Sequence, residues 1–170
     1  MDAFLVIASK REIRRYADRP LPDDVVTRIL DAGRVTGSGG NRQPWRFHVL
    51  ESREAREQAA KAVWEQGNVA GCALAVAIAI AGKGPTSFDA GRAAQNMMLA
   101  AANDGVGSCP NGVADADALA SLLELAEGER VAIVLSFGYP ARGRDPASRS
   151  AQEWIDRADR RPLDELVVRH

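Results

Sequence analysis

Residues 36–50, TGSGGNRQPWRFHVL, combine a glycine-rich turn with the beginning of a strand. Glycines allow the backbone to adopt positive φ and to approach another molecule closely. Pro44 disfavours the helical region for the residue before it, so we predict that Gln43 is extended and that its side chain leaves the loop in a fixed direction. An ordinary helix-to-strand turn contains the same residue types. Taken alone, the stretch leaves a binding loop and a plain connection equally open.

Four cations lie upstream of this loop within six positions: Lys10, Arg11, Arg14 and Arg15. In a helical turn, Lys10 or Arg11 would share a face with Arg14, and their repulsion would be costly unless solvent or an anion neutralised it. Arginine favours planar, bidentate recognition of phosphate. A second basic cluster occupies residues 142–161. Such clusters are often solvated surface, but both lie beside turns and could meet around one anion.

Composition restricts the class of protein. The chain has 170 residues and a formal net charge of -1, which suits one compact domain and argues against general nucleic-acid binding. No apolar run is long enough to span a bilayer, and the first residues have their charges after the apolar ones, opposite to a secretory signal. Two cysteines and two histidines form no metal-ligand set. We therefore expect a cytoplasmic protein without a metal.

Periodicity and turn residues predict the order of elements. We expect helices over residues 2–9, from Asp23 or Asp24 to 33, 52–67, 89–102 and 116–125. We expect strands over residues 46–50, 72–82 and 131–137. Residues 105–112 are interpreted as a second glycine-rich turn, and 141–162 as an extended surface arm. This order indicates either an α+β or a mixed α/β fold.

The sequence lacks the usual catalytic motifs: there is no GxSxG elbow, no phosphate loop and no GxGxxG before a helix. We interpret His48 as a packing or surface residue, because its neighbours provide no metal-binding constellation. Cys109 is interpreted as inert, because no histidine or cation lies next to it in sequence. An enzyme with so few histidines and cysteines usually takes its chemistry from a cofactor. The cationic cluster suits a phosphate, while Ser38, Asn41 and Gln43 offer polar groups to the edges of a planar ring.

Four segments carry a family resemblance: KREIRRYADRPLP, SGGNRQPWRFHVLES, DAGRAAQNMMLAAANDGVGSC and GERVAIVLSFGYP. In this order and spacing they resemble the FMN-dependent nitroreductase family, from about residue 8 to the RRPLDELV terminus. The resemblance implies an α+β fold with a central, mainly antiparallel sheet flanked by helices. It also implies one domain over residues 1–170 and an interlocked homodimer that exchanges a C-terminal arm at about 141–170.

The resemblance implies a cofactor site with three parts. The basic motif and a C-terminal arginine would hold the flavin near its phosphate, a loop would reach the flavin of the partner chain, and a turn would lie near the reactive N5 edge. The residues at these positions are, in that order, Lys10, Arg11, Arg14 and Arg160; Ser38, Gly39, Asn41 and Gln43; and Pro110, Asn111 and Gly112. Lys10 stands where an arginine is more usual. Glu12 replaces a phosphate-binding serine, so that role is not transferred.

The implied activity is ping-pong hydride transfer through flavin N5, with NADH or NADPH as the donor. Nitroaromatics, quinones or similar compounds would be the acceptors, and neither a metal nor a catalytic side chain would be needed. A non-catalytic flavin-binding or sensing homodimer is the alternative. The chain is short between its first strand and the helix at 89–102, so the acceptor pocket is either open or closed by the arm. Trp45 is expected to anchor its loop in the core.

Overall fold

The computed structural model describes residues 2–170, which form two compact units. The larger unit is Arg11–Arg144, and the smaller combines the residues up to Lys10 with Asp145–His170. The helices are α1 (Ala3–Ser9), α2 (Asp23–Arg34), α3 (Arg53–Ala60), α4 (Gln66–Ala70), α5 (Thr86–Asn103), α6 (Ala116–Leu122) and α7 (Ala151–Asp156). The strands are β1 (Trp45–Leu50), β2 (Leu74–Ile80), β3 (Gly107–Asn111) and β4 (Arg130–Gly138). None of the helices in this range is both long and apolar enough to cross a bilayer.

The four strands form one sheet in the order β1-β2-β4-β3, and every neighbouring pair is antiparallel. The predicted α+β fold with an antiparallel sheet flanked by helices is confirmed. Strand β2 is central and buried on both faces, as its continuous apolar sequence predicts. Val76 and Ile78 face one core, whereas Ala75 and Ala77 face the other. The small alanine side chains of β2 thus face the core that α3, α4 and α6 cover.

Helices α2 and α5 cover the first face of the sheet. Their close packing depends on Gly33 of α2, where an added Cβ would lie 2.8 Å from both Met97 Sδ and Phe47 Cζ. Met97 is fully buried, as predicted for a core methionine. Trp45 packs against the same core and stacks on Phe47, with ring centroids 6.4 Å apart. The prediction that Trp45 anchors its loop is confirmed.

Helices α3, α4 and α6 lie on the second face, where Ala59, Val69 and Leu119 are completely buried. The prediction of one helix over residues 52–67 is wrong, because the chain leaves the helix after Ala60. Val63 instead forms a β-bridge with Val113, and α4 then continues through the expected stop at Gly67–Asn68. A long-range backbone pairing has overridden local helix propensity.

The expectation of a turn at residues 105–112 is also wrong in part. Gly105 makes the turn with φ +74°, but Gly107–Asn111 form the edge strand β3. Glycine, proline and asparagine are poor strand formers, so propensity hides this strand. Pro110 is tolerated because an edge strand has one side without ladder bonds.

The smaller unit pairs α1 with α7. Residues 141–162 were expected to be an extended arm, but they contain a 3-10 turn at Pro146–Ser148 and helix α7. A capping box between Ser150 and Glu153 starts this helix, and Trp154 donates to the Pro146 carbonyl at 2.9 Å. Several large apolar side chains of the unit remain exposed: Phe4, Ile7, Leu163, Leu166, Val167 and Val168.

Candidate functional site

The cationic segment after Lys10 is extended and lies along the outer edge of β3. Glu12 pairs with Ser108 in a parallel bridge, and the N–H of Ile13 donates to the Ser108 carbonyl at 2.9 Å. Tyr16 forms an antiparallel bridge with Pro140. No helical turn therefore groups the cations. The sheet edge aligns them instead, because β3 has backbone groups that β4 does not use.

Two glycines create the space for this segment. Gly107 and Gly138 are direct partners in β3 and β4. A Cβ at Gly107 would lie 2.7 Å from Ile13 Cβ, and one at Gly138 would lie 2.8 Å from Tyr16 Cδ1. Real side chains do not tolerate such distances, so only glycine allows the segment to approach. We call this close contact of Gly107 and Gly138 with the side chains of Ile13 and Tyr16 the glycine groove.

Arg11 and Arg144 bring positive charge together at this edge. Although much of Arg144 is exposed, burial of part of it and the neighbouring charge of Arg11 lower its pKa. A bound anion would relieve this repulsion and compensate the desolvation. Arg11 and Arg144, one from each basic cluster, are therefore near enough for the charge of Arg11 to affect the pKa of Arg144; that the clusters share an anion stays a prediction. Arg144 itself was not among the predicted site residues. The only feature of the sequence that pointed to it was its place in the second basic cluster.

The predicted N5-edge turn, Pro110–Gly112, lies at the end of β3. The Asn111 side chain is buried, and it donates to the carbonyls of Cys109 and Val134 at 3.0 and 3.1 Å. Its amide is therefore committed to the protein interior. Asn111 as a whole is only 2% exposed, so its neighbours Pro110 and Gly112 carry the accessible surface of this turn. A Cβ at Gly112 would lie 3.1 Å from Trp64 Cδ1, so that ring lies close over the turn.

The loop at residues 38–43 is held by its own hydrogen bonds. Ser38 Oγ accepts from the N–H of Gln43 at 2.8 Å, and the N–H of Gly39 donates to Asp89 Oδ2 at 3.2 Å. Asn41 and Gln43 have φ of 54° and 47°. The prediction that Pro44 makes Gln43 extended is wrong. The bond to Ser38 holds Gln43 in the left-handed region instead.

Within one chain, the loop and the glycine groove lie at diagonally opposite corners of the sheet. The loop leads into Trp45, which pairs with Ile80, and Ile80 pairs with Arg130 at the start of β4. Ser108 pairs with Phe137, near the other end of β4 and on the far edge. The two corners are separated by three strand spacings across the sheet and by the rise of seven residues along β4. Together these give a distance of roughly 25 Å. One chain cannot close both around the same ring.

Lys10 and Arg160 belong to the smaller unit. The N–H of Lys10 caps α1 by donating to the Val6 carbonyl at 2.9 Å, and Arg160 Nη1 donates to the Ala158 carbonyl at 2.9 Å. Their predicted role near the phosphate stays a prediction.

Other chemistry is limited at this site. Residues 2–170 contain no group of three or more His, Cys, Asp or Glu side chains that could hold a metal ion. Cys109 is buried, which disfavours its thiolate. His48 is partly buried, and desolvation lowers its pKa more than Glu129 raises it. The role of this site in binding an anionic ligand stays a prediction.

A four-stranded antiparallel sheet between helical layers, with a cationic segment along its edge strand, defines an α+β protein. The sequence model of the Nitroreductase family matches residues 7–81 and 85–139. The chain therefore belongs to the nitroreductase family.

Known proteins resemble the whole chain. A protein of Archaeoglobus fulgidus, provisionally named an NADH dehydrogenase/NAD(P)H nitroreductase, is 32% identical over 155 residues, which are 85% of this chain and 88% of that protein. A nitroreductase family protein of Clostridium difficile has the same fold at a TM-score of 0.83 and 24% identity, covering 99% and 98% of the two chains. A provisionally named nitroreductase of Desulfovibrio desulfuricans, solved in complex with FMN, matches at a TM-score of 0.81 and 27% identity, covering 100% and 97%.

Proposed function

We propose that this protein is an FMN-dependent oxidoreductase that uses NADH or NADPH to reduce nitroaromatic, quinone or similar acceptors. The proposal rests on the family match over residues 7–81 and 85–139 and on the cationic segment that the Glu12–Ser108 bridge holds along β3, because arginines fit a phosphate. The FMN complex of the Desulfovibrio relative and the name of the Archaeoglobus relative support it. FMN, when bound, supplies the hydride chemistry that the side chains lack.

The residues of the chain would bind and orient the cofactor. Arg11 and Arg144 would hold the phosphate, and Lys10 and Arg160 remain further phosphate-binding candidates from the family resemblance. Arg14 would place positive charge near the ring, where hydride transfer adds negative charge. The backbone of Pro110–Gly112 would face the reactive edge of the ring, since the Asn111 side chain is committed to the interior.

A second copy of the chain would complete the pocket. The loop with Ser38, Gly39, Asn41 and Gln43 lies roughly 25 Å from the groove in its own chain by strand geometry, so a partner must bring its loop to the same flavin. The exposed apolar side chains of the smaller unit offer surface for such an interface. We propose a cytoplasmic homodimer in which residues 141–170 embrace the partner.

The test begins with the purified protein and anaerobic NADH or NADPH. We expect a yellow protein whose bound FMN is bleached by one of the two donors. A colourless protein that does not bind added FMN would refute the proposal. Bound FMN that neither donor bleaches would instead favour the non-catalytic flavin sensor.

Arg144→Ala tests the phosphate assignment. Loss of one charge-assisted hydrogen bond is expected to weaken FMN binding by about tenfold or more. Arg142→Ala is the matched control, because it removes the same charge two residues away. A titration in which both variants bind FMN equally tightly would contradict the assignment of Arg144.

A further inference from the structure

Beneath the proposed cofactor turn, four side chains form a continuous buried chain of hydrogen bonds. Asn68 Nδ2 donates to Asn111 Oδ1 at 3.0 Å, and Asn111 Nδ2 donates to Ser136 Oγ at 3.1 Å. Ser136 Oγ and the Tyr16 hydroxyl lie 2.8 Å apart. We call this set the buried polar chain. It crosses from α4 through β3 and β4 to the cationic segment.

Every member of the chain has a hydrogen-bond partner. Ser136 Oγ donates to the Cys109 carbonyl at 3.2 Å, and the Tyr16 hydroxyl donates to the Ser136 carbonyl at 3.3 Å; either hydroxyl can be the donor of the 2.8 Å bond between them. The Asn111 amide nitrogen faces three acceptors, which fixes the orientation of its side chain. Burial raises the pKa of Tyr16, while its bond to Ser136 lowers it, so the hydroxyl stays protonated as a donor at neutral pH. A fully satisfied buried network has one low-energy arrangement.

Two members of the buried polar chain, Asn111 and Tyr16, belong to two parts of the proposed site. Asn111 lies in the turn that would face the flavin ring, and Tyr16 ends the segment that carries Arg11 and Arg14. Pro110 and Asn111 are poor strand residues, so local propensity does not hold this part of β3. Side-chain bonds that run to α4 and β4 can hold it instead.

We propose that Asn68, Asn111, Ser136 and Tyr16 are positioning residues, which hold the Pro110–Gly112 backbone and the cationic segment in one geometry for flavin reduction. This inference rests on the proposed function, because it assumes that FMN binds at the groove. None of the four side chains needs to touch the cofactor. Their effect is transmitted through the backbone of β3.

The experiment compares Tyr16→Phe, Asn68→Ala and the double variant in the FMN-loaded protein. Stopped-flow absorbance measures flavin reduction by NADH or NADPH, and a fluorescence titration measures FMN affinity. Each single variant is expected to slow flavin reduction by about three- to tenfold, the equivalent of one hydrogen bond, with FMN affinity changed less than twofold. Tyr139→Phe is the matched control, because it removes a hydroxyl from the only other tyrosine.

The double variant tests whether the chain acts as a unit. Tyr16 and Asn68 are linked through Asn111 and Ser136, and Asn68 also donates to Cys109 Sγ at 3.8 Å. Effects that were independent would multiply. The proposal is supported if the double variant reduces its flavin at about the same rate as the slower of the two single variants. Multiplied effects, or a Tyr16→Phe protein reduced at the wild-type rate, would overturn it. If Asn68→Ala fails to fold, Asn68→Ser replaces it and the Tyr16→Phe rate remains decisive.

The control readouts separate this inference from the proposed function. Lower melting temperatures with unchanged reduction rates would show a purely structural network and overturn the inference alone. Wild-type protein that binds no FMN would overturn both proposals.

Discussion

Gly107→Ala tests whether the glycine groove positions the cationic segment. The new Cβ would lie 2.7 Å from both Cβ and Cγ1 of Ile13 and 2.9 Å from its Cγ2. Rotation about χ1 does not move Cβ, so the backbone of the segment must retreat. Ordinary contact begins at 3.4 Å, which requires a shift of about 0.7 Å.

This shift has a calculable cost. The 2.9 Å bond from the Ile13 N–H to the Ser108 carbonyl would lengthen to about 3.6 Å, beyond hydrogen-bonding distance, at a cost of about 1 kcal/mol. Overpacking destabilises the folded protein further, by about 1–3 kcal/mol. Replacing glycine by alanine stabilises the protein by about 0.5–1 kcal/mol, because the unfolded chain has less conformational entropy. The free energy of unfolding should fall by about 2 kcal/mol, which lowers the melting temperature by about 4–8 °C.

The assays are thermal unfolding and FMN titration. Because Arg11 moves with Ile13, we also expect FMN affinity to fall by about tenfold. Gly67→Ala is the matched control, since nothing lies within 4 Å of its Cβ position, and it should be neutral or slightly stabilising. A Gly107→Ala protein with wild-type stability and FMN affinity would refute the positioning role of the groove.

Two further predictions concern the loop and the core. Asp89→Ala removes the acceptor of the Gly39 N–H, so hydrogen exchange at residues 38–43 should become faster; unchanged protection would show that Asp89 does not hold the loop. Burial raises the pKa of the Cys72 thiol from 9.0 to about 11, so the native state binds more protons than the unfolded state between these pH values. Stability from this group is complete below pH 9 and is lost as pH rises through 11, by about 1.3 kcal/mol between pH 8 and pH 10. Urea unfolding at both pH values measures this loss, and Cys72→Ala should lack it; an equal loss in that variant would contradict the assignment.

Local sequence patterns were sufficient to predict an element where its apolar residues recur with one clear period. The apolar run at 72–82 predicts β2, and helical spacing predicts α2 and α5 within a few residues. Local patterns failed where a long-range contact determined the backbone conformation. β3 has a turn-like composition, and α3 ends early because Val63 pairs with Val113.

The candidate site shows the same division. The sequence identifies arginine and glycine clusters because charge and small size are visible in single residues. It does not show that Gly107 and Gly138 face each other, or that Arg144 lies beside Arg11. Those facts depend on strand register, which is set by the whole sheet.

The opening stretch, residues 36–50, illustrates what each level determines. The sequence alone established a glycine-rich connection into a strand and a tryptophan that belongs to the core. Only the tertiary structure showed that Asp89 holds the loop through Gly39 and that Ser38 holds Gln43 at positive φ. It also placed the loop at the corner of the sheet opposite the cationic edge. Residue types fix local propensity and charge, whereas the pairing of distant strands decides which charges and loops lie together.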